Sequence, residues 1–159
     1  MNLIQRDGHA ERWIFQIGKR EKNLLIEVLK LYPLIPAAHP GSKPGAANGK
    51  TAENRRLLEE SLAERKKENQ RQLRLLLNEE SRFKEVGDGY HFVLRASEIE
   101  WLLQVVNDIR VGSWLALGEP DERKGKPIAW TRENARHYAA MEFCGYLQIT
   151  LLGAIDPAS

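Results

Sequence analysis

Two charged residues sit where their charge has to be accounted for. On a helix over 98–117, Ile99, Leu102, Leu103, Val106, Ile109 and Leu117 share one arc at roughly 100° per residue. Arg110 and Ser113 fall inside that arc. On the last helix, Glu142 lies on the densest apolar face, beside Ala139, Phe143 and Tyr146. A carboxylate in such a place has two readings. One is an acid or base with a shifted pKa, which makes an enzyme with a site near Glu142 and Arg110. The other is half of an ion pair, because an unpaired buried charge is strongly destabilising. We read Arg110 and Glu142 as a structural ion pair between the last two helices and assign no catalytic residue.

Asn107 and Asp108 carry oxygens of the kind that hold metals. Adjacent residues on a helix point roughly 100° apart, so one helix cannot turn both toward one ion. Asp108 falls opposite the Ile99–Arg110 arc. Both side chains are expected to bond to neighbouring backbone or to the loop between the helices. His9, His39, His91 and His137 show neither His-x₃-His nor His-Glu-x-x-His spacing. Cys144 is the single cysteine, so no internal disulfide forms, and in an apolar helix it behaves as a small hydrophobe. No serine stands in Gly-x-Ser-x-Gly. Gly49-Lys50-Thr51 ends like a phosphate-binding loop, but Pro44 occupies the place of its first glycine. The expectation is no metal and no cofactor.

A larger set of charges lies upstream. Arg55, Arg56, Arg65, Lys66, Lys67, Arg71 and Arg74 are candidate partner-binding residues on one helix running from 51 toward 85. Glu53, Glu59, Glu60, Glu64 and Glu68 interleave with them, and Glu64–Lys67 and Glu68–Arg71 have the spacing of ordinary helix support. A DNA-binding helix is less neutralised than this, so DNA binding through 51–85 is the alternative reading. The preferred reading is a coiled-coil-like stripe of Leu58, Leu62, Arg65, Asn69, Leu73, Leu76, Glu80 and Phe83. Its apolar ends pack on the domain, while its polar middle, Arg65–Arg71, is exposed or meets a partner. Thirty-five helical residues would reach ~52 Å, beyond the roughly 40 Å diameter of a compact domain this size. The helix therefore breaks near Asn78–Ser81 or overhangs.

The remaining elements follow from pattern. Residues 2–18 read as a hairpin around Asp7-Gly8, with Trp13–Ile17 rich in aromatic and β-branched types. Lys19–Tyr32 is a helix stopped by Pro33 and Pro36. Residues 36–50, rich in Pro, Gly and Ala, form a flexible loop. Tyr90–Arg95 alternates as a strand and pairs with Trp13–Ile17. Ser97-Glu98-Ile99-Glu100 has the form of a capping box for the penultimate helix. A loop over 119–130 follows, and Thr131 caps a last helix reaching about Ile155. That helix is apolar on nearly every side and is taken as central. The fold class is mainly α with a small antiparallel β-sheet, a bundle of about four helices.

With 159 residues the chain makes a single domain, 1–159, large enough to bury roughly 69% of its unfolded surface. A composition 42% apolar and 29% charged is that of a globular protein, and a net charge of +2 implies neither nucleic acid nor an anionic membrane. The apolar stretch near Tyr146–Ile155 falls short of the ~20 residues of a membrane span, and a cytoplasmic protein is expected.

The run from Ser97 to Arg110, with Trp101, Asn107-Asp108 and Arg110, followed by Leu117-Gly118, resembles a bacterial family catalogued only as a domain of unknown function. Tyr138, Leu147-Gln148 and Arg12-Trp13-Ile14-Phe15 are similar to it too. The resemblance implies a mostly helical bacterial protein, often regarded as regulatory, with no established enzymatic residues. The expected function is a non-enzymatic regulatory or protein-interaction role, with a protein partner or self-association through the charged helix.

Overall fold

The computed structural model describes residues 1–7, 9, 11–35, 49–120 and 127–156. The loop expected at 36–50 lies outside the described residues as far as 48. His39 lies outside them too.

Alternation places Trp13, Phe15 and Ile17 on one face of a strand, opposite Leu94, Phe92 and Tyr90 on another. These two strands, β2 (Arg12–Gly18) and β4 (Gly89–Arg95), are the centre of a four-stranded antiparallel sheet. β1 (Asn2–Asp7) pairs outside β2, and β3 (Phe83–Val86) outside β4, giving the order β1-β2-β4-β3. Phe15, Ile17, Phe92 and Leu94 are buried on the covered face. Ile14, Gln16, His91 and Val93 point to the other side.

Four α-helices complete the described residues. α1 (Lys19–Leu29) leaves β2 directly and buries Leu25, Val28 and Leu29 against the sheet. α2 spans Gly49–Asn78. α3 (Ala96–Ala116) and α4 (Arg132–Ile155) pack together and fill the core with Ile99, Leu102, Val105, Val106, Ile109, Cys144, Leu147 and Leu151. The Thr131 hydroxyl caps α4 by accepting from the Asn134 N–H at 3.1 Å, as expected.

Three expectations need correction. The charged helix breaks near Asn78–Ser81, one of the two outcomes its length required, but the residues beyond the break, expected as helix toward Glu85, form a strand. The helix ends at Asn78, a short 3-10 turn covers Glu80–Arg82, and β3 begins at Phe83. Sheet pairing overrides the helical character of the charges here. Phe83 stacks on Phe92 at 4.7 Å, and Arg82 is pinned by Glu79, Glu98 and the Val93 carbonyl. Ser97 does not cap α3. The helix starts at Ala96, and Glu98 accepts from the Arg95 N–H at 3.3 Å. Thirdly, the buried arc of α3 is turned by roughly 60° from the one read in the sequence. Val105, Asp108 and Gly112 face inward, because Leu34 and Ile35, just after α1, pass along that side.

Candidate interaction surface

The segment after α1 is held to α3 by a polar clamp. Asp108 Oδ1 accepts from the Leu34 N–H at 2.8 Å and from the Ile35 N–H at 3.3 Å. One turn further, a Cβ on Gly112 would sit 2.3 Å from Leu34 Cβ, so only glycine fits against it. From α2, Lys66 donates to the Ile35 carbonyl and lies 3.8 Å from the Asp108 carboxylate. Asp108 is thus buried structure and not the outward residue expected. Asn107 is exposed and accepts from Gln148 Nε2 of α4 at 3.2 Å.

α2 docks on this clamp through its C-terminal half. Trp101 Nε1 donates to Asn69 Oδ1 at 2.9 Å, and Asn69 Nδ2 donates to the Tyr32 hydroxyl at 3.2 Å. Burial pushes the Tyr32 pKa up, against the Asn69 hydrogen bond, and the nearby Asp108 charge pushes the same way. Leu73 and Leu76 are buried below Asn69. Within the polar middle, Asn69 therefore faces the protein's own body, which corrects the expectation for that residue, while Arg65 and Arg71 are exposed as expected. Toward its N-terminus the same stripe runs on to Leu62, 38% exposed, and Leu58, 61% exposed, with Leu57 beside them also exposed.

The seven basic residues of α2 are not one surface. Lys66 is engaged by the clamp. Arg71 is held by Glu68 at 2.7 Å and Arg56 lies 3.8 Å from Glu60, both at the protein surface. The Arg71 hydrogen bond, helped by Gln72, holds Glu68 below the usual carboxylate range. Arg55 is half-buried, whereas Arg65, Lys67 and Arg74 are exposed. At roughly 100° per residue, Arg56, Lys67 and Arg74 share their side of the helix with Glu53, Glu60 and Glu64.

Arg110 and Glu142 do not pair. Both are exposed, and neither has an ion-pair partner among the described residues. The turned arc of α3 leaves Arg110 at its edge. α4 buries Ala140, Phe143, Cys144, Leu147, Leu151 and Ala154, the side opposite Glu142. Burial pushes the Cys144 thiol up to about 12, with Arg110 opposing weakly. The densest apolar face of α4 is thus not its buried face. Ile149, 75% exposed, and Leu152, 55% exposed, lie outward with Tyr138 and Tyr146. The Tyr146 hydroxyl is 3.2 Å from the Met1 carbonyl oxygen and 3.3 Å from Glu21. Arg110 and Glu142 rim an open groove of about 640 Å³ floored by Met141, Gly145 and Ile149. By length and composition α4 is one helix able to cross a membrane, yet its buried side supplies the core.

Among the described residues, no group of three or more His, Cys, Asp or Glu is placed to hold a metal. Residues 28–155 match the family described as "Domain of unknown function (DUF2017)". The chain belongs to that family. The DUF2017 match covers α2, β3, β4, α3 and α4 and leaves out the N-terminal hairpin and most of α1. No curated protein and no solved structure matches the chain.

Sequence reasoning found the α2 stripe and missed the outward face of α4. Its signal was present: an apolar face in excess of what one core can cover, with Gly145 and Gly153 inside it.

Proposed function

We propose that this DUF2017 protein is a non-enzymatic, regulatory interaction module, working in the cytoplasm, that offers the projecting half of α2 to a helix of a partner protein. One observation carries the reading. The stripe that docks on the body through Asn69, Leu73 and Leu76 continues past it as Leu62 and Leu58, which have no such cover among the described residues. An apolar seam at helical spacing, flanked by charges of both signs, fits another amphipathic helix. The mixed signs of the flanking residues favour a protein over DNA. The buried polar groups Asp108, Asn69 and Arg82 are engaged in holding the fold.

Photo-crosslinking from positions 58 and 62 in cells, followed by titration of the purified adduct partner, tests this. The expected result is a single protein partner whose binding falls at least about tenfold in Leu58→Glu/Leu62→Glu. Binding unaffected by that double substitution overturns the reading. DNA retention with a steep salt dependence, lost in Lys67→Ala/Arg74→Ala, favours the DNA alternative instead.

A further inference from the structure

The outward face of α4 is an apolar helix face without cover among the described residues. Ile149 and Leu152 are its most exposed apolar residues, with Tyr138 and Tyr146 toward the N-terminus of the same side. Gly145 and Gly153 lie on the same side, and a Cβ at either would meet nothing within 4 Å. Glycine in a helix interior is destabilising, and no contact among the described residues requires it at these positions. Bare backbone there admits the close approach of another helix. Two charges rim the same groove, Arg110 from α3 and Glu142 from α4. They carry opposite signs, and neither has an ion-pair partner among the described residues.

We infer that this face is a two-fold interface with a second copy of the chain, in which each Arg110 meets Glu142 of the other copy. In a two-fold contact the same patch appears on both sides, so it must complement itself. A patch with an apolar centre, a positive rim on α3 and a negative rim on α4 meets that condition. A basic or an acidic partner would leave one of the two charges facing its like. The apolar part of α4, residues 138–152, is about 22 Å long, and with the rim of α3 the strip is roughly 18 Å wide. That gives on the order of 800 Å² buried over both copies, the size of a weak, concentration-dependent contact. The surface is distinct from the projecting half of α2, so the two contacts can coexist.

Sedimentation of the full chain from micromolar to millimolar concentration tests the inference. A monomer–dimer equilibrium is expected, with Ile149→Glu weakening it at least about tenfold while the circular dichroism stays unchanged. Glu142→Arg alone and Arg110→Glu alone each weaken the dimer about tenfold, and the double reversal restores it. A chain that stays monomeric throughout, a dimer indifferent to Ile149→Glu, or a double reversal that fails to rescue overturns it. So does a dimer lost in Leu58→Glu/Leu62→Glu, which moves self-association to α2. A monomer that floats with phosphatidylglycerol vesicles, and stops floating in Ile149→Glu, assigns the face to lipid and also overturns it.

Discussion

Asp108 holds Leu34 by its backbone: the carboxylate on α3 accepts the Leu34 N–H at 2.8 Å, from a residue 74 positions earlier in the chain. The same oxygen takes the Ile35 N–H, and Lys66 of α2 closes the arrangement from the other side. Three segments distant in sequence thus meet at one side chain. The charge of the carboxylate is balanced by an ammonium group, and its lone pairs are occupied by backbone donors that would otherwise be buried without partners.

Asp108→Ala removes the acceptor and leaves two backbone donors and Lys66 without it. A loss of about 3 kcal/mol is expected. Asp108→Asn keeps one carbonyl oxygen for Leu34 and loses the charge, so about half that loss is expected. Urea denaturation of the two variants beside the parent measures both. Equal losses would show that the ion pair, and not the backbone bonds, dominates.

Gly112→Ala forces its new methyl group against the Leu34 side chain, where 2.3 Å separates the two carbons before any shift. Overpacking of this kind costs about 1–3 kcal/mol. Leu34→Gly in the same chain removes the obstructing carbon. The double variant should then be less destabilised than the sum of the singles. A strictly additive pair in thermal melts would rule out the contact as the cause.

Arg82 and its acids set an acid sensitivity. The Arg82 hydrogen bond holds Glu79 below its usual carboxylate range, with the Arg82 and Arg95 charges and Ser81 assisting against slight desolvation. The unfolded chain therefore takes up the Glu79 proton more readily than the folded one. Stability from this pair is complete above the unfolded value and is lost as pH falls through the lowered folded value. Glu79 is well exposed, so the contribution is only about 0.5 kcal/mol after screening. Glu79→Gln should therefore cost that ~0.5 kcal/mol at neutral pH, cost nothing in acid, and remove that part of the acid slope. Arg82→Met is more severe, about 3 kcal/mol, because Glu98 is mostly buried and loses its 2.7 Å partner. Denaturation curves at neutral pH and in acid separate the two effects.

Periodicity located the elements well where one face alone is covered. The hairpin, the β2–β4 pairing, α1, α3 and α4 all follow from patterns of two or of three to four. The errors share one cause. α4 has more apolar surface than its own core requires, so its densest face and its buried face are different faces. Glu142 stands on the densest face, which is the exposed one, so the expected ion pair with Arg110 does not form. On α3 the inward position of Asp108 depends on Leu34 and Ile35, and no local pattern reports where a segment 74 residues away will run. β3 was hidden for a similar reason. Its charges, Lys84 and Glu85, are good helix residues, and only Phe92 on a later strand draws Phe83 into the sheet. The α2 stripe was legible because it lies within one helix, and its docked half needed only Tyr32 and Trp101 to be seen as such.

The strand order β1-β2-β4-β3 carries a kinetic consequence. Residues 12–18 take their inner partners from residues 89–95, so the middle of the sheet cannot close until more than half the chain is in place. A two-stranded hairpin alone is at best marginally stable in water. On the ribosome the first eighteen residues must therefore wait, with Phe15 and Ile17 uncovered, until Arg95 has emerged. Closure of so long a loop makes this ladder a late event in folding. Chains arrested before that point should be the ones that aggregate.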